Sequence, residues 1–124
     1  MSALIKELRK GNIVFSQAQN KPAPVAGILS DKCITEGGTG EEWDKVLPVP
    51  LDEEWLKTYD FIPYIRKDMP QTRFFKNKII LSQHKNYYSY FVNGGVGGDT
   101  FYANIKYVHQ LQNLYFFLTA QELF

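Results

Sequence analysis

An α+β fold, in which a C-terminal helix packs on a curved antiparallel sheet, is predicted by three features of the sequence. Short β-prone runs separated by turn signals fill residues 73–92, the pattern of antiparallel strands. Near the end of the chain, Leu111, Leu114, Tyr115 and Leu118 stand at i, i+3, i+4 and i+7, the spacing of one buried helix face. The 124 residues, 44% of them hydrophobic, suit one packed core and one domain over residues 1–124.

The elements follow in order. Ser2 to Leu8 reads as a short first helix with Ser2 as its cap. Gly11-Asn12 breaks it and starts an extended segment, Ile13 to Ser16. Gln17 to Pro24 is polar, holds Pro22 and Pro24, and reads as a loop. Val25 to Leu29 is a short strand in which Gly27 marks a bulge, and Cys33 to Thr35 extends a neighbouring strand. Gly37 to Gly40 reads as a flexible loop. Lys45 to Pro50 reads as an extended connector, because Pro48 and Pro50 lack backbone donors.

Asp52 to Tyr59 is the clearest short helix: Asp52 caps it, Glu53 and Glu54 suit its positive end, and Lys57 lies in its last turn. Phe61 to Pro63 leads out of it. Ile79 to Leu81 and Tyr87 to Val92 are strands with Lys85-Asn86 at the turn between them. Residues 93–99 form a Gly-rich loop, and Phe101 to Lys106 is extended. The last helix runs from near Tyr107 to about Leu118, and Thr119 to Glu122 matches a capping box for a brief terminal turn.

The net charge of +1 excludes a uniformly basic nucleic-acid binder and a uniformly acidic chain. It conceals an asymmetry. Residues 36–60 hold eight acidic and two basic groups, whereas residues 61–93 hold six basic and one acidic. One cysteine, Cys33, permits no internal disulfide, and no apolar run reaches the length of a membrane span. With no signal-peptide pattern at the start, the expected location is the cytoplasm of a bacterial host.

The terminal helix carries a second face. His109, Gln112, Asn113 and Phe116 also stand at i, i+3, i+4 and i+7. A polar face that ends in Phe116 and Phe117 is not simply solvated. Either another layer of the fold covers it, with His109, Gln112 and Asn113 bonded to buried backbone groups, or it binds a ligand or partner.

Three blocks of sequence carry a resemblance: Glu7-Leu8-Arg9-Lys10-Gly11-Asn12-Ile13-Val14; Pro48-Val49-Pro50-Leu51-Asp52-Glu53-Glu54-Trp55-Leu56; and Tyr107-Val108-His109-Gln110-Leu111-Gln112-Asn113-Leu114-Tyr115-Phe116-Phe117-Leu118-Thr119. In them the chain resembles a group of small proteins encoded by Bacteroidota and by their phages and mobile elements. Lys10 and the ending Thr119-Ala120-Gln121-Glu122 depart from the group's pattern, which has an apolar residue and a Gly in those places. The resemblance implies a biological setting and no chemistry.

No catalytic constellation stands out. The glycines at 94–98 lack the Gly-Lys-Ser/Thr ending of a nucleotide-triphosphate loop and the dinucleotide fingerprint. Cys33, His84 and His109 show no metal-ligand spacing. Cys33 reads as an inert thiol, and the acidic groups as helix-end or solvated charges. No enzyme activity, metal or cofactor is expected. The best ligand candidate is the segment in which Arg66, Lys67, Arg73, Lys76, Lys78 and Lys85 interleave with Tyr64, Phe74, Phe75, Tyr87, Tyr88 and Tyr90. Cations hold phosphate while rings stack on bases. Strand alternation, in contrast, would send half of these rings into the core.

The favoured reading is a non-enzymatic binding protein of phage or mobile-element origin that sequesters a nucleotide messenger or a host factor and so antagonises host defence. Its expected binding residues are Arg66, Arg73, Lys76, Tyr87, Tyr88, His109, Gln112 and Asn113. The alternatives are a nucleic-acid accessory protein using the same segment, or an assembly protein that forms a homo-oligomer through Phe116, Phe117 and surface tyrosines.

Overall fold

A computed structural model describes residues 6–38, 40–65, 72–77, 79–93 and 99–123, with the side chains of 91–93 and 99–103 outside the description. The fold is α+β, and its strands divide between two five-stranded antiparallel sheets. The chain forms two compact units, Met1–Pro50 with Tyr107–Glu122, and Leu51–Lys106 with Leu123–Phe124. Residues 2–5 of the expected first helix, and the Gly-rich loop at 94–98, lie outside the described residues.

The first unit holds β1 (Ile13–Ser16), β2 (Lys21–Ile28), β3 (Lys32–Thr35), β4 (Glu41–Glu42) and β5 (Val46–Pro48), in the order β4-β3-β2-β1-β5. Gly11 precedes β1 with φ +90, a conformation that only glycine adopts without strain. The expected loop over 17–24 is shorter than its prolines suggest, because Pro22 and Pro24 lie within β2, opposite Phe15 and Ile13 of β1. The Pro24 carbonyl accepts from Glu36 N, so the imino nitrogens of both prolines face away from β1. On that side pairing with β3 begins only at Val25, and no donor is required of them. The register shifts between Val25 and Gly27, as the bulge reading expects. The connector over 45–50 is partly a strand, since β5 pairs with β1, and Trp43–Lys45 before it forms a 3-10 turn.

Leu8, Val14, Val25, Cys33, Trp43 and Val46 form the core of this sheet. α2 (Val108–Thr119) belongs to the same unit. Val108 N donates to Val49 O, and Gln110 Oε1 accepts from Tyr107 N at the helix start. Ala120 ends the helix in the left-handed region, φ 58, donating its N–H to Phe116 O. The expected terminal helical turn over 119–122 is absent; Thr119 Oγ1 instead donates to Tyr115 O and accepts from Gln121 N.

The second unit holds α1 (Glu53–Thr58), β6 (Ile62–Tyr64), β7 (Arg73–Lys76), β8 (Ile79–Gln83), β9 (Tyr88–Asn93) and β10 (Asp99–Ile105), in the order β10-β9-β8-β7-β6. Asp52 caps α1 by accepting from Trp55 N at 3.0 Å, as its sequence position predicts. One sheet face carries Phe74, Ile79, Leu81, Tyr88, Tyr90 and Ile105, all buried. α1 packs on this face: Glu53 Oε1 accepts from Gln83 Nε2, and the Tyr59 carbonyl accepts from Lys76 Nζ. Among the described residues no helix is long and apolar enough to cross a membrane.

Candidate functional site

The polar face of α2 is covered by residues 7–13 of the same unit. Gln112, 2% exposed, accepts from Ile13 N at 2.7 Å through Oε1 and donates to Gly11 O at 3.1 Å through Nε2. Asn113 Oδ1 accepts from Arg9 Nε at 2.8 Å and from Asn12 Nδ2 at 2.9 Å, and its Nδ2 donates to Glu7 O. His109, 0% exposed, stacks on Tyr107 and faces the Glu7 carboxylate through Nε2 at 3.1 Å. Its Nδ1 is buried and meets no partner among the described residues. A carboxylate only accepts, so Nε2 is the donor of the contact with Glu7. Arg9 also pairs with Glu122 at 2.9 Å and lies over the Phe116 ring.

These bonds span about a hundred residues of sequence and satisfy the backbone where the chain turns into β1. Gln112 and Asn113 are engaged within the unit through both their side-chain oxygen and nitrogen, and His109 through Nε2 alone. The helix is buried further round its polar face than its apolar spacing predicts. Leu111 and Tyr115 are buried, whereas Leu114 is half-buried and Leu118 is 44% exposed.

Cys33 lies in the core opposite Glu41 across β3 and β4. Burial, and then the Glu41 charge, push its thiol up to about 11. Glu41 accepts from Ser16 Oγ at 2.6 Å and from Ala18 N at 2.9 Å. A thiol held protonated in the core is the opposite of an activated nucleophile. Among the described residues no group of three or more His, Cys, Asp or Glu could hold a metal ion.

The second unit sorts the basic and aromatic segment by strand alternation. Residues paired directly across strands share a face. Tyr64, Arg73, Ser82 and Ser89 are paired in one row across β6, β7, β8 and β9. This row lies on the face opposite α1. Phe75 shares the face and meets the Tyr64 ring edge-on at 5.7 Å. Where β8 turns into β9, His84 Nε2 lies 2.7 Å from Ser89 Oγ, and the His84 ring stacks on Tyr87 at 4.5 Å, 14° from parallel. Ser89 itself is buried, so this pair secures the hairpin and does not present a nucleophile.

Among the sequence-predicted residues, Arg73 and Tyr87 therefore share one face, joined by Tyr64, Phe75 and His84. Lys76 and Tyr88 lie on the α1 side, where Lys76 bonds Tyr59 O and Tyr88 packs edge-on against Phe74. Burial raises the Tyr88 hydroxyl above its usual range. Arg66, Lys67 and Lys78 lie outside the described residues. His109, Gln112 and Asn113 belong to the first unit.

The local signal for Phe75 was its two-residue spacing from Arg73. For Tyr64 and His84 the signal needs the strand register, which the sequence does not state. Nothing local marks Glu7, Arg9 or Asn12 as partners of α2. In comparisons with known proteins, the chain matches no family model, no curated protein and no solved structure.

Proposed function

We propose that this is a non-enzymatic binding protein that takes a nucleotide-class ligand on the Tyr64–Arg73–Phe75–Tyr87 face of its second sheet. The observation that carries the reading is the cross-strand row that puts an arginine beside two groups of rings on one sheet face. Guanidinium groups recognise phosphate, and ring faces accept bases. The excess of basic residues over 61–93 adds an attractive field for an anion. The unactivated Cys33 thiol supports binding over covalent chemistry. In the phage or mobile-element setting that the sequence resemblance implies, such a protein sequesters a nucleotide messenger and so antagonises host defence. A nucleic-acid accessory role draws on the same face.

A second reading, assembly into a homo-oligomer, draws on Phe117, 84% exposed beside the exposed Phe116 and Leu118. Each reading has its own measurement. Calorimetry against mononucleotides, dinucleotides and short oligonucleotides at low salt should give saturable binding to at least one class. Arg73→Ala should weaken it by about tenfold, as loss of one charge-assisted contact does. No heat with any member at high protein concentration overturns the nucleotide reading. A mass by light scattering that stays monomeric at every concentration removes the assembly reading.

A further inference from the structure

We infer that the outer face of the first sheet is the contact surface of a weak homodimer, in which two copies lay this face on one another about a two-fold axis. The surface is distinct from the ring-bearing face of the second sheet and from the exposed Phe117. A sheet with one face in water alternates apolar and polar residues along each strand. β1 does not: Ile13, Val14 and Phe15 are apolar in succession. Val14 belongs to the core face, where Ser16, Ala23, Val25, Cys33 and Val46 join it, all at most 3% exposed. Ile13 and Phe15 stand on the other side.

Register builds that side. Ile13 is paired with Pro24, and Phe15 with both Pro22 and Leu47. Ile34 joins them on β3, since Cys33 and Thr35 on either side of it are buried in the core face. Apolar side chains thus run across four adjacent strands, β3-β2-β1-β5. Pro22 is exposed, Leu47 is 42% exposed, and Ile13, Phe15, Pro24 and Ile34 are half-buried. Neighbours about 5 Å apart on a bare sheet hide one another's flanks and leave their tips in water. These four are therefore half-buried, whereas the core face is closed.

Charge selects the partner. Lys32 pairs with Glu42 at the β3–β4 edge. Glu36 adjoins Pro24, donating its N–H to the proline carbonyl, and the Lys45 carbonyl accepts from Gln17 N past the end of β1. All four charged residues are exposed. An apolar centre within a polar border is the anatomy of a protein interface. This border holds two cations and two anions, so it has no net sign to draw an anionic lipid surface or a strongly charged partner. It is self-complementary instead. A two-fold axis lying in the contact plane sets the Lys45 end of one copy against the Glu42 end of the other. Sheets pack flat on one another about 10 Å apart, and the same face supplies the flat apolar counterpart. The surface spans three strand spacings and about five residues, roughly 14 by 16 Å between backbone centres. That is well below the ~800 Å² per partner of a standard interface, so the dissociation constant is on the order of 10–100 μM.

The test is sedimentation equilibrium of the full chain from about 5 μM to about 1 mM, where mass action brings out a weak pair. The weight-average mass should climb from 14.4 kDa toward that of a dimer. Leu47→Lys sets a charge inside the contact, and Phe15→Thr trims its centre while keeping a strand former. Each should raise the dissociation constant by about tenfold or more, and Phe117→Ser should leave it unchanged. Leu47 lies on the edge strand and is 42% exposed, so its variant carries the test if Phe15→Thr fails to fold. A mass of 14.4 kDa at every concentration overturns the inference. A dimer that survives in the folded Leu47→Lys variant overturns it as well. Loss of the dimer in Phe117→Ser overturns it in favour of the α2 surface, and masses beyond the dimer overturn the two-fold pairing. Flotation of the monomer with phosphatidylcholine vesicles overturns it in favour of a lipid surface. The nucleotide reading stands or falls separately, because its calorimetry reads the second sheet.

Discussion

Replacing Gln112 with Leu tests whether the polar face of α2 is a structural seam. The side chain is buried and makes two bonds, accepting from Ile13 N at 2.7 Å and donating to Gly11 O at 3.1 Å. Leucine keeps most of the volume, so the change removes hydrogen bonding with little cavity. Ile13 N–H then lies half-buried against an apolar group, with no helix or sheet partner supplied in its place. A buried group left unpaired costs about 1–3 kcal/mol. Gly11 is exposed, so its carbonyl regains water and contributes at the low end. The sum expected is about 2–3 kcal/mol, a large share of the ~5–15 kcal/mol that holds a domain folded.

Urea denaturation should show the midpoint falling by about 1–2 M with the slope unchanged, taking a slope of ~1–3 kcal/mol/M. Hydrogen exchange gives a local readout: the Ile13 amide should lose protection while Val14 keeps it, because Val14 lies within the β1 ladder. A midpoint within about 0.3 M of the parent, with Ile13 still protected, would refute the seam.

Two further outcomes follow from single residues. Burial holds the Cys33 thiol at about 11 and the Tyr59 hydroxyl at about 12, against ordinary values of 9.0 and 10.0. Both folded values lie above the unfolded ones, so their contribution is whole below pH 9 and is lost as pH rises through 9–11 for Cys33 and 10–12 for Tyr59. Melting temperature should therefore fall over that window, less so in Cys33→Ala, and a flat profile would contradict the burial of both groups. Ala120 ends α2 with φ 58, a left-handed conformation that glycine adopts without the Cβ clash. Ala120→Gly should raise stability by about 0.5–1 kcal/mol, read as a small rise in melting temperature; a fall would mean that Ala120 makes a contact worth more than the strain.

What was legible in the sequence is what short-range chemistry governs. Asp52 followed by two glutamates and an apolar face specifies α1, because the cap, the charges and the packing act within two turns. Alternation over 73–92 specifies strands for the same reason. Pro22 and Pro24 misled, because a missing donor matters only on the side where a neighbour pairs, and that side depends on where β3 begins.

The two candidate surfaces divide in the same way. The sequence placed His109, Gln112 and Asn113 on one helix face, since helical periodicity is local. What fills that face was decided by residues 7–13, about a hundred positions away, and no local pattern encodes such a partner. Likewise the sequence supplied a basic, aromatic segment, while register decided its use. Tyr88 and Lys76 turn toward α1, and Arg73 joins Tyr64, Phe75 and Tyr87 on the other face. By itself the sequence determined which residues are cations and rings and which elements carry them, through propensity and periodicity. Only the tertiary structure decided which of them meet, because each pairing across a sheet or onto a helix joins segments that the chain keeps apart.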